Sequence, residues 1–375
     1  MRSFHHMFRF TPGFRGGLNI TLFVDRRSWH KSMNEHAGKE YEVLCIGQAV
    51  IDCITRGQEA DRHRENVFRA ERIELHIGGD AVNESIALTE LGHRAGIACG
   101  VGMDAAGNLL RSELELRGVD TRNITVMREL TTPIAQLVVH QDGGRHSINS
   151  RATMLEGYVP FLAGRAGSGD GGAETPGSRA GAAGEEELTE TGDGVLLPPP
   201  LRMREAMEGV RIVSLASLFR APLDRAEVIR SLVRAAKEAG AIVSADTKLP
   251  TFREVAVEEL ADVWPLVDYI FPNEKEAAYY TGETDCAKMA EAFRRLGVRN
   301  AIVKAGEDGC YVNGEEGVFH LPALPVEVVD STGAGDNFVA GFLSGVLDGE
   351  DLRTCAERGR ARASECISRM GASRD

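Results

Sequence analysis

The sequence has no uninterrupted apolar run approaching the roughly 20 residues that cross a bilayer, so no membrane span is expected. It is short of positive charge: 43 Lys and Arg stand against 56 Asp and Glu, a net charge of −13. That balance argues against a general nucleic-acid binder, whose affinity rests on basic surface. Cysteine is sparse, with seven residues at positions 45, 53, 99, 286, 310, 355 and 366, an odd number with no Cys-x-x-Cys pair. Buried free thiols in a reducing cytosol fit better than disulfides or zinc, so a cytoplasmic location is expected. No Gly-Lys-Ser/Thr closes a glycine loop, which removes the Walker A nucleotide site. What remains is a 375-residue chain with an ordinary hydrophobic fraction of 43%. That is long enough for one large α/β domain with an appendage, or for two domains.

One stretch stands out, Asp330-Ser331-Thr332-Gly333-Ala334-Gly335-Asp336. It follows a strand-like run, Val326 to Val329, and precedes an apolar segment, Phe338 to Leu347. The pattern predicts a strand, a glycine turn and a helix. Glycines flanking an alanine let backbone N–H groups converge, and the helix adds its unpaired first-turn N–H groups. That makes a seat for an anion, most naturally a phosphate. A carboxylate at such a seat, Asp336, repels phosphate unless it has a task there. The task that fits is taking a proton from a hydroxyl that attacks phosphorus. The plainer alternative is a helix N-cap.

Other stretches place candidates around it. Tyr41 to Val50 reads as a buried first strand ending at Gly47, with Asp52 just beyond, where α/β sheets bind ligands. Gly78-Gly79-Asp80-Ala81-Val82-Asn83 opens a helical pattern; paired glycines admit a ligand close to the backbone, and Asn83 points back at the same place. Asn273 and Glu276, three apart at a strand-to-helix junction, suit hydrated magnesium, and suit a capping box equally well. Lys304, Gly306 and Gly309 follow another strand. The glycines leave room for a base or ribose or make an ordinary hairpin turn, and Lys304 contacts phosphate or caps the sheet edge. Residues 66–77 and 132–148 alternate as exposed strands, the second with a hairpin turn at Asp142-Gly143-Gly144.

Residues 163–200 are rich in glycine and nearly devoid of aromatics, so burial cannot offset their ordering entropy. They are expected to be a disordered insertion. Residues 1–39 are basic and unlike the rest, a disordered or mis-assigned extension with Met33 as a plausible start. A transit peptide is the less favoured reading. The folded domain is therefore expected over residues 40–375.

The segment from Asp330 through Asn337 to Phe342, together with Gly78 to Gly92 and Gly100 to Gly107, resembles the two signatures of the PfkB or ribokinase-like carbohydrate kinases. The resemblance implies a three-layer α/β fold: a central mainly parallel sheet with helices on both faces and a small β-sheet lid from parts of 54–77 and 132–150. It implies an anion hole at Gly333, Ala334 and Gly335, with Gly333 and Gly335 also bordering the nucleotide, and Asp336 as catalytic base. It assigns Asp52, Gly78, Gly79 and Asn83 to the substrate, and places Arg151 where some sugar-acid kinases contact theirs, a surface charge being the alternative. Lys304, Gly306 and Gly309 would border ATP, and Asn273 with Glu276 would hold Mg²⁺. The final helix departs from the family's alanine- and asparagine-rich pattern by carrying Arg360, Arg362 and Arg369. That leaves the adenine pocket and a monovalent-cation site open.

The expected function is ATP-dependent phosphorylation of a hydroxyl on a small sugar or sugar acid. A nucleoside kinase of the same fold, with Phe68 or Ile134 walling the base, and a catalytically silent sugar or nucleotide sensor are the alternatives. Expected partners are the small substrate and ATP, with neither nucleic acid nor membrane, and a homodimer through the lid as an open arrangement.

Overall fold

A computed structural model describes residues 41–58, 70–140, 145–149, 158–161, 189–190, 196–197, 200–369 and 372. The 1–39 extension, Phe68, Arg151 and all of the 163–200 span but residues 189–190, 196–197 and 200 lie outside the described residues. In chain order come β1 (Val43–Ile46), β2 (Val50–Gln58), β3 (Arg72–Gly78), α1 (Asp80–Glu90), β4 (Ala95–Ala98), β5 (Gly100–Gly102), α2 (Ala105–Leu116) and β6 (Thr125–Met127). Next are β7 (Ile134–His140), β8 (Arg145–Asn149), β9 (Thr189–Glu190), β10 (Leu196–Leu197), α3 (Pro200–Met207), β11 (Ile212–Leu218), α4 (Ala226–Glu238) and β12 (Ile242–Thr247). The chain continues through β13 (Tyr269–Ile270), α5 (Glu274–Thr281), α6 (Cys286–Leu296), β14 (Asn300–Lys304), β15 (Cys310–Gly314), β16 (Gly317–Leu321), α7 (Ala334–Asp348) and α8 (Leu352–Ile367).

The main sheet runs β16-β15-β14-β13-β12-β11-β1-β4. From β4 to β14 every pairing is parallel; β15 and β16 add an antiparallel edge. Its inner strands read as continuous apolar runs because helices cover both faces. Successive residues of β1 alternate between two cores. Leu44 and Ile46 pack with Ile229, Leu232 and Phe293 on one side; Val43 and Cys45 pack with Ile86, Phe338 and Phe342 on the other. This is the mainly parallel three-layer architecture the sequence implied. Helix α7 is buried along nearly its whole length, as a helix apolar all round must be. It stops at Gly349, which takes the left-handed φ of 77° that suits glycine at a helix end.

A second sheet, β3-β2-β7-β8, is the lid. Inside the 163–200 span, β9 pairs with β10 and Pro200 opens α3, so regular structure resumes before that span ends. Two local expectations need correction. Val326 to Val329 is not a strand: the backbone N–H groups of Val329 and Asp330 donate to the Ile367 carbonyl at 2.8 and 3.3 Å, and Val328 stays 61% exposed. The run has the β-branched composition of a strand but pairs with no strand among the described residues. Asp52 does not sit in a loop beyond β1; the chain enters β2 at Val50, and Asp52 pairs with His76 and Ala135 in the lid.

Candidate active site

The register of the lid decides what its faces carry. Asn149, Ala135, Asp52 and His76 form one row across β8, β7, β2 and β3, and the next row is Ile148, Gln136, Cys53 and Leu75. Side chains alternate faces along a strand, so the two rows point oppositely. The Asp52 row borders a cavity of about 320 Å³ whose far wall is Gly79, Asp80, Asn83, Gly333 and Asp336. That is within the range of small-molecule sites, roughly 300–1,000 Å³. A larger cavity of about 630 Å³, beside Tyr41 and Arg122, is lined by Glu205 and Glu208 and by none of the residues just named.

Two glycines make the approach of the walls feasible. A Cβ on Gly78 would stand 2.2 Å from Asp52 Oδ2, and Gly79, at φ 99°, would clash with the Gln48 carbonyl. Gly79 then starts α1, which carries Asn83 one turn in. The Asn83 Nδ2 amide donates to Asp336 Oδ2 at 2.8 Å across 253 residues of sequence. Asp336 lies in the first turn of α7 but caps nothing; Gly333 occupies the cap position with φ 71° and no side-chain bond. Burial raises the Asp336 pKa to about 6; Lys248 pulls it down, Asp80 and Asp246 push it up, and the Asn83 bond lowers it. Burial likewise raises Asp52 to about 6, with His76 pulling the other way.

Lys248 was not singled out by the sequence. Its ammonium lies 3.2 Å from Asp80 Oδ1, 3.2 Å from Asp246 Oδ2 and 3.5 Å from Asp336 Oδ1. Burial disfavours its charge, yet Asp246, Asp80 and Asp336 together hold its pKa well above the ordinary lysine value. The signal that could have found it is position: Lys248 follows β12 at the carboxyl end of the sheet, where α/β folds bind ligands. Lys304, at the end of β14, pairs with Asp246 Oδ1 at 2.7 Å, and its Nζ stands 3.2 Å from where a Gly335 Cβ would be. It therefore abuts the glycine turn rather than the sheet edge alone. Gly309 has a φ of 87°, and a Cβ there would meet the Leu321 carbonyl at 2.0 Å, so the turn itself demands glycine; Gly306 has open space.

Asn273 and Glu276 form a complete capping box. Asn273 Oδ1 accepts from the Glu276 N–H at 3.0 Å, and Glu276 Oε2 accepts from the Asn273 N–H at 2.9 Å and from the Thr247 hydroxyl at 3.1 Å. Burial raises the Glu276 pKa, Asp246 adds to the rise, and Lys304 and Lys248 oppose it. Among the described residues no group of three or more His, Cys, Asp or Glu gathers as a protein-only metal cage. Magnesium keeps several waters and needs only one or two carboxylates beside substrate phosphates, so Glu276 next to Asp246 fits that demand. Of the arginines that distinguish the last helix, Arg362 is buried. Its Nε donates to Asn337 Oδ1 at 2.9 Å and it pairs with Glu90, tying α8 to α7 and α1.

The fold is that of the ribokinase-like α/β proteins. A solved Arabidopsis thaliana ribokinase, complexed with ribose and ATP, superposes with a TM-score of 0.68 at 21% identity, covering 90% of this chain and 96% of that one. The family model for the pfkB family carbohydrate kinases matches residues 41–158 and 197–375, and the chain belongs to that family. Among curated relatives, an ATP-dependent ribose-1-phosphate kinase of Halopiger xanaduensis is 28% identical over 299 residues, 79% of this chain and 81% of the relative. A cytidine kinase of Thermococcus kodakarensis is 36% identical over 129 residues; that match spans 32% of this chain and about half, 46%, of the relative.

Proposed function

We propose that the chain transfers the γ-phosphoryl group of ATP to a hydroxyl of a small sugar or sugar derivative. The observation that carries this is the state of Asp336: a buried carboxylate at a helix N-terminus that caps nothing, held by Asn83 and Lys248 inside the cavity bordered by Asp52. With a pKa near 6 it is mostly ionised at pH 7 and able to take a proton. The acceptor hydroxyl oxygen forms the new P–O bond, its proton passes to Asp336, and the bond to ADP breaks. Gly333, Ala334 and Gly335 present N–H groups to the charge spreading over the transferred group, with Lys304 beside them. Asp52, Gly79 and Asn83 orient the acceptor. Bound Mg²⁺, with Glu276 as its protein-side carboxylate, would neutralise charge on the nucleotide phosphates.

A sensor needs no proton acceptor at an anion seat, which favours the enzyme over a silent binder. The test is ADP release with ATP and a panel of sugars, sugar acids, sugar phosphates and nucleosides. Turnover with a member of the panel, abolished in Asp336→Asn, supports the reading; ATP binding with no transfer to any acceptor overturns it. The lid's outer row exposes Leu75 and Ile148 at 59% and 58%, with Ile73 at 66%, a face suited to a second copy of the chain. Sedimentation of the parent and a Leu75→Lys, Ile148→Lys variant tests that homodimer.

A further inference from the structure

The charged groups among the described cavity-lining residues are Asp52, Asp80, Asp336 and Arg220. Asp80 and Asp336 share the Lys248 ammonium. Arg220 stands apart. It reaches one carbonyl, Leu249 O, through Nη2 at a long 3.4 Å, and its Nε is buried with no hydrogen-bond partner. No carboxylate among the described residues pairs with it. Arginine does not lose its charge in a protein, and a buried donor left unpaired is costly.

The backbone around Arg220 is also constrained. It follows β11 at the carboxyl end of the sheet, after Phe219, a non-glycine residue with φ 73°. Such conformations are strained and persist only where the surroundings over-determine them. Here they do. The Phe219 ring is fully buried, with ring centroids 4.4 Å from Tyr280 and 6.0 Å from Trp264. The Phe219 N–H donates to Leu223 O at 2.9 Å, the Arg220 N–H to Ser217 O at 3.0 Å, and the Leu223 N–H to Arg220 O at 2.7 Å. A strained, locked turn thus holds one cation at the rim of a cavity rich in acids.

We propose that Arg220 receives an oxyanion on the phosphate acceptor, so the acceptor is an anionic sugar, carrying a phosphate ester or a carboxylate, rather than a neutral sugar or nucleoside. This rests on the kinase reading above. A planar guanidinium matches both oxyanions in two-pronged geometry, and it completes its own unpaired donor in doing so. Asp52 remains for hydroxyls, so the two residues divide the acceptor between its charged end and its polyol.

The experiment is acceptor kinetics with ATP on matched sets: free pentoses and hexoses, their 1- and 6-phosphates, the corresponding aldonic and 2-keto acids, and nucleosides. In the parent, one anionic class should exceed its neutral counterpart in kcat/KM by at least 100-fold, and the phosphate and carboxylate sets tell which. Arg220→Gln, which removes the charge, keeps a polar amide and is checked for folding by circular dichroism, should lower that preference by about 10- to 100-fold, mainly through acceptor KM. The KM for ATP should stay within twofold, and Arg220→Lys should fall between. Neutral acceptors used as well as anionic ones would overturn the proposal while leaving the kinase reading intact. An Arg220→Gln loss shared equally by ATP and acceptor would do the same. Transfer to no acceptor of any class would overturn both.

Discussion

Two helix starts in this chain carry the same elements in sequence, a polar or glycine junction followed by an acidic residue in the first turn, and they come out differently. At α5, Asn273 and Glu276 bond each other's backbone N–H groups and close the helix end. At α7 the cap position is a glycine, no side chain closes the end, and the Asp336 carboxylate turns instead to Asn83 and Lys248. A carboxylate used for capping stabilises its helix and has one oxygen already committed. A carboxylate left out of the cap at an open helix end is available for chemistry, and its N–H groups are available to an anion. The contrast separates two uses of one motif grammar that spacing alone leaves merged.

The contrast is broken most severely at Asp336. Asp336→Asn keeps the shape and loses the proton acceptor, so kcat should fall by about 10²- to 10⁴-fold with ATP affinity nearly unchanged. Steady-state kinetics beside calorimetric ATP titration read it, and a kcat within threefold of the parent would remove Asp336 from the role of base.

Across the cavity, Asp52→Ala should lower kcat/KM for the acceptor at least tenfold, since charge-assisted bonds are each worth roughly 1.5–3 kcal/mol. ATP affinity should not follow. Equal weakening of both ligands, or of neither, would put the acceptor elsewhere.

A smaller effect of opposite kind belongs to the α5 cap. Asn273→Ala should cost about 1 kcal/mol of stability, the usual worth of an N-cap, measured by urea unfolding. Loss of activity far beyond any loss of stability would show that Asn273 also serves the nucleotide metal.

Glu84, on α1, offers a pH test of the buried acids. Burial raises its pKa to about 8 from an ordinary 4.5, with Asp246 and Asp336 adding to the rise. A carboxyl raised on folding supports the fold while protonated. That support is complete below about pH 4.5 and is lost as pH rises toward 8. Glu84→Gln should therefore gain stability relative to the parent on going from pH 5 to pH 8. A difference that stays constant with pH would mean Glu84 does not titrate as its burial implies.

What the sequence made legible was whatever is local and periodic. Buried strand runs such as Val43–Ile46 and Ile212–Leu218 announce a covered parallel sheet, and the glycine turn before Asp336 announces an open helix end. The misreadings have equally local causes. Val326 to Val329 has strand composition but gives its N–H groups at Val329 and Asp330 to the Ile367 carbonyl instead of to a sheet, and Asp52 follows so short a break after Gly47 that a new lid strand looked like the end of the old one. Lys248 and Arg220 were missed for another reason. Each follows a different strand of the sheet, and only the parallel ordering of β11 and β12 beside β1 brings their side chains to the same cavity wall region as Asp80 and Asp336. No spacing along the chain encodes that convergence.

The central claim is that the buried, uncapped carboxylate of Asp336 works as a base near pH 6. Asp52 titrates in the same range, so the deciding measurement is the pH profile of kcat/KM from pH 5 to 8 in the parent and in Asp52→Asn. Both should fall as pH drops through about 6, approaching tenfold per unit, because protonated Asp336 cannot accept the hydroxyl proton. An Asp52→Asn enzyme whose residual activity is flat from pH 5 to 8 would contradict it.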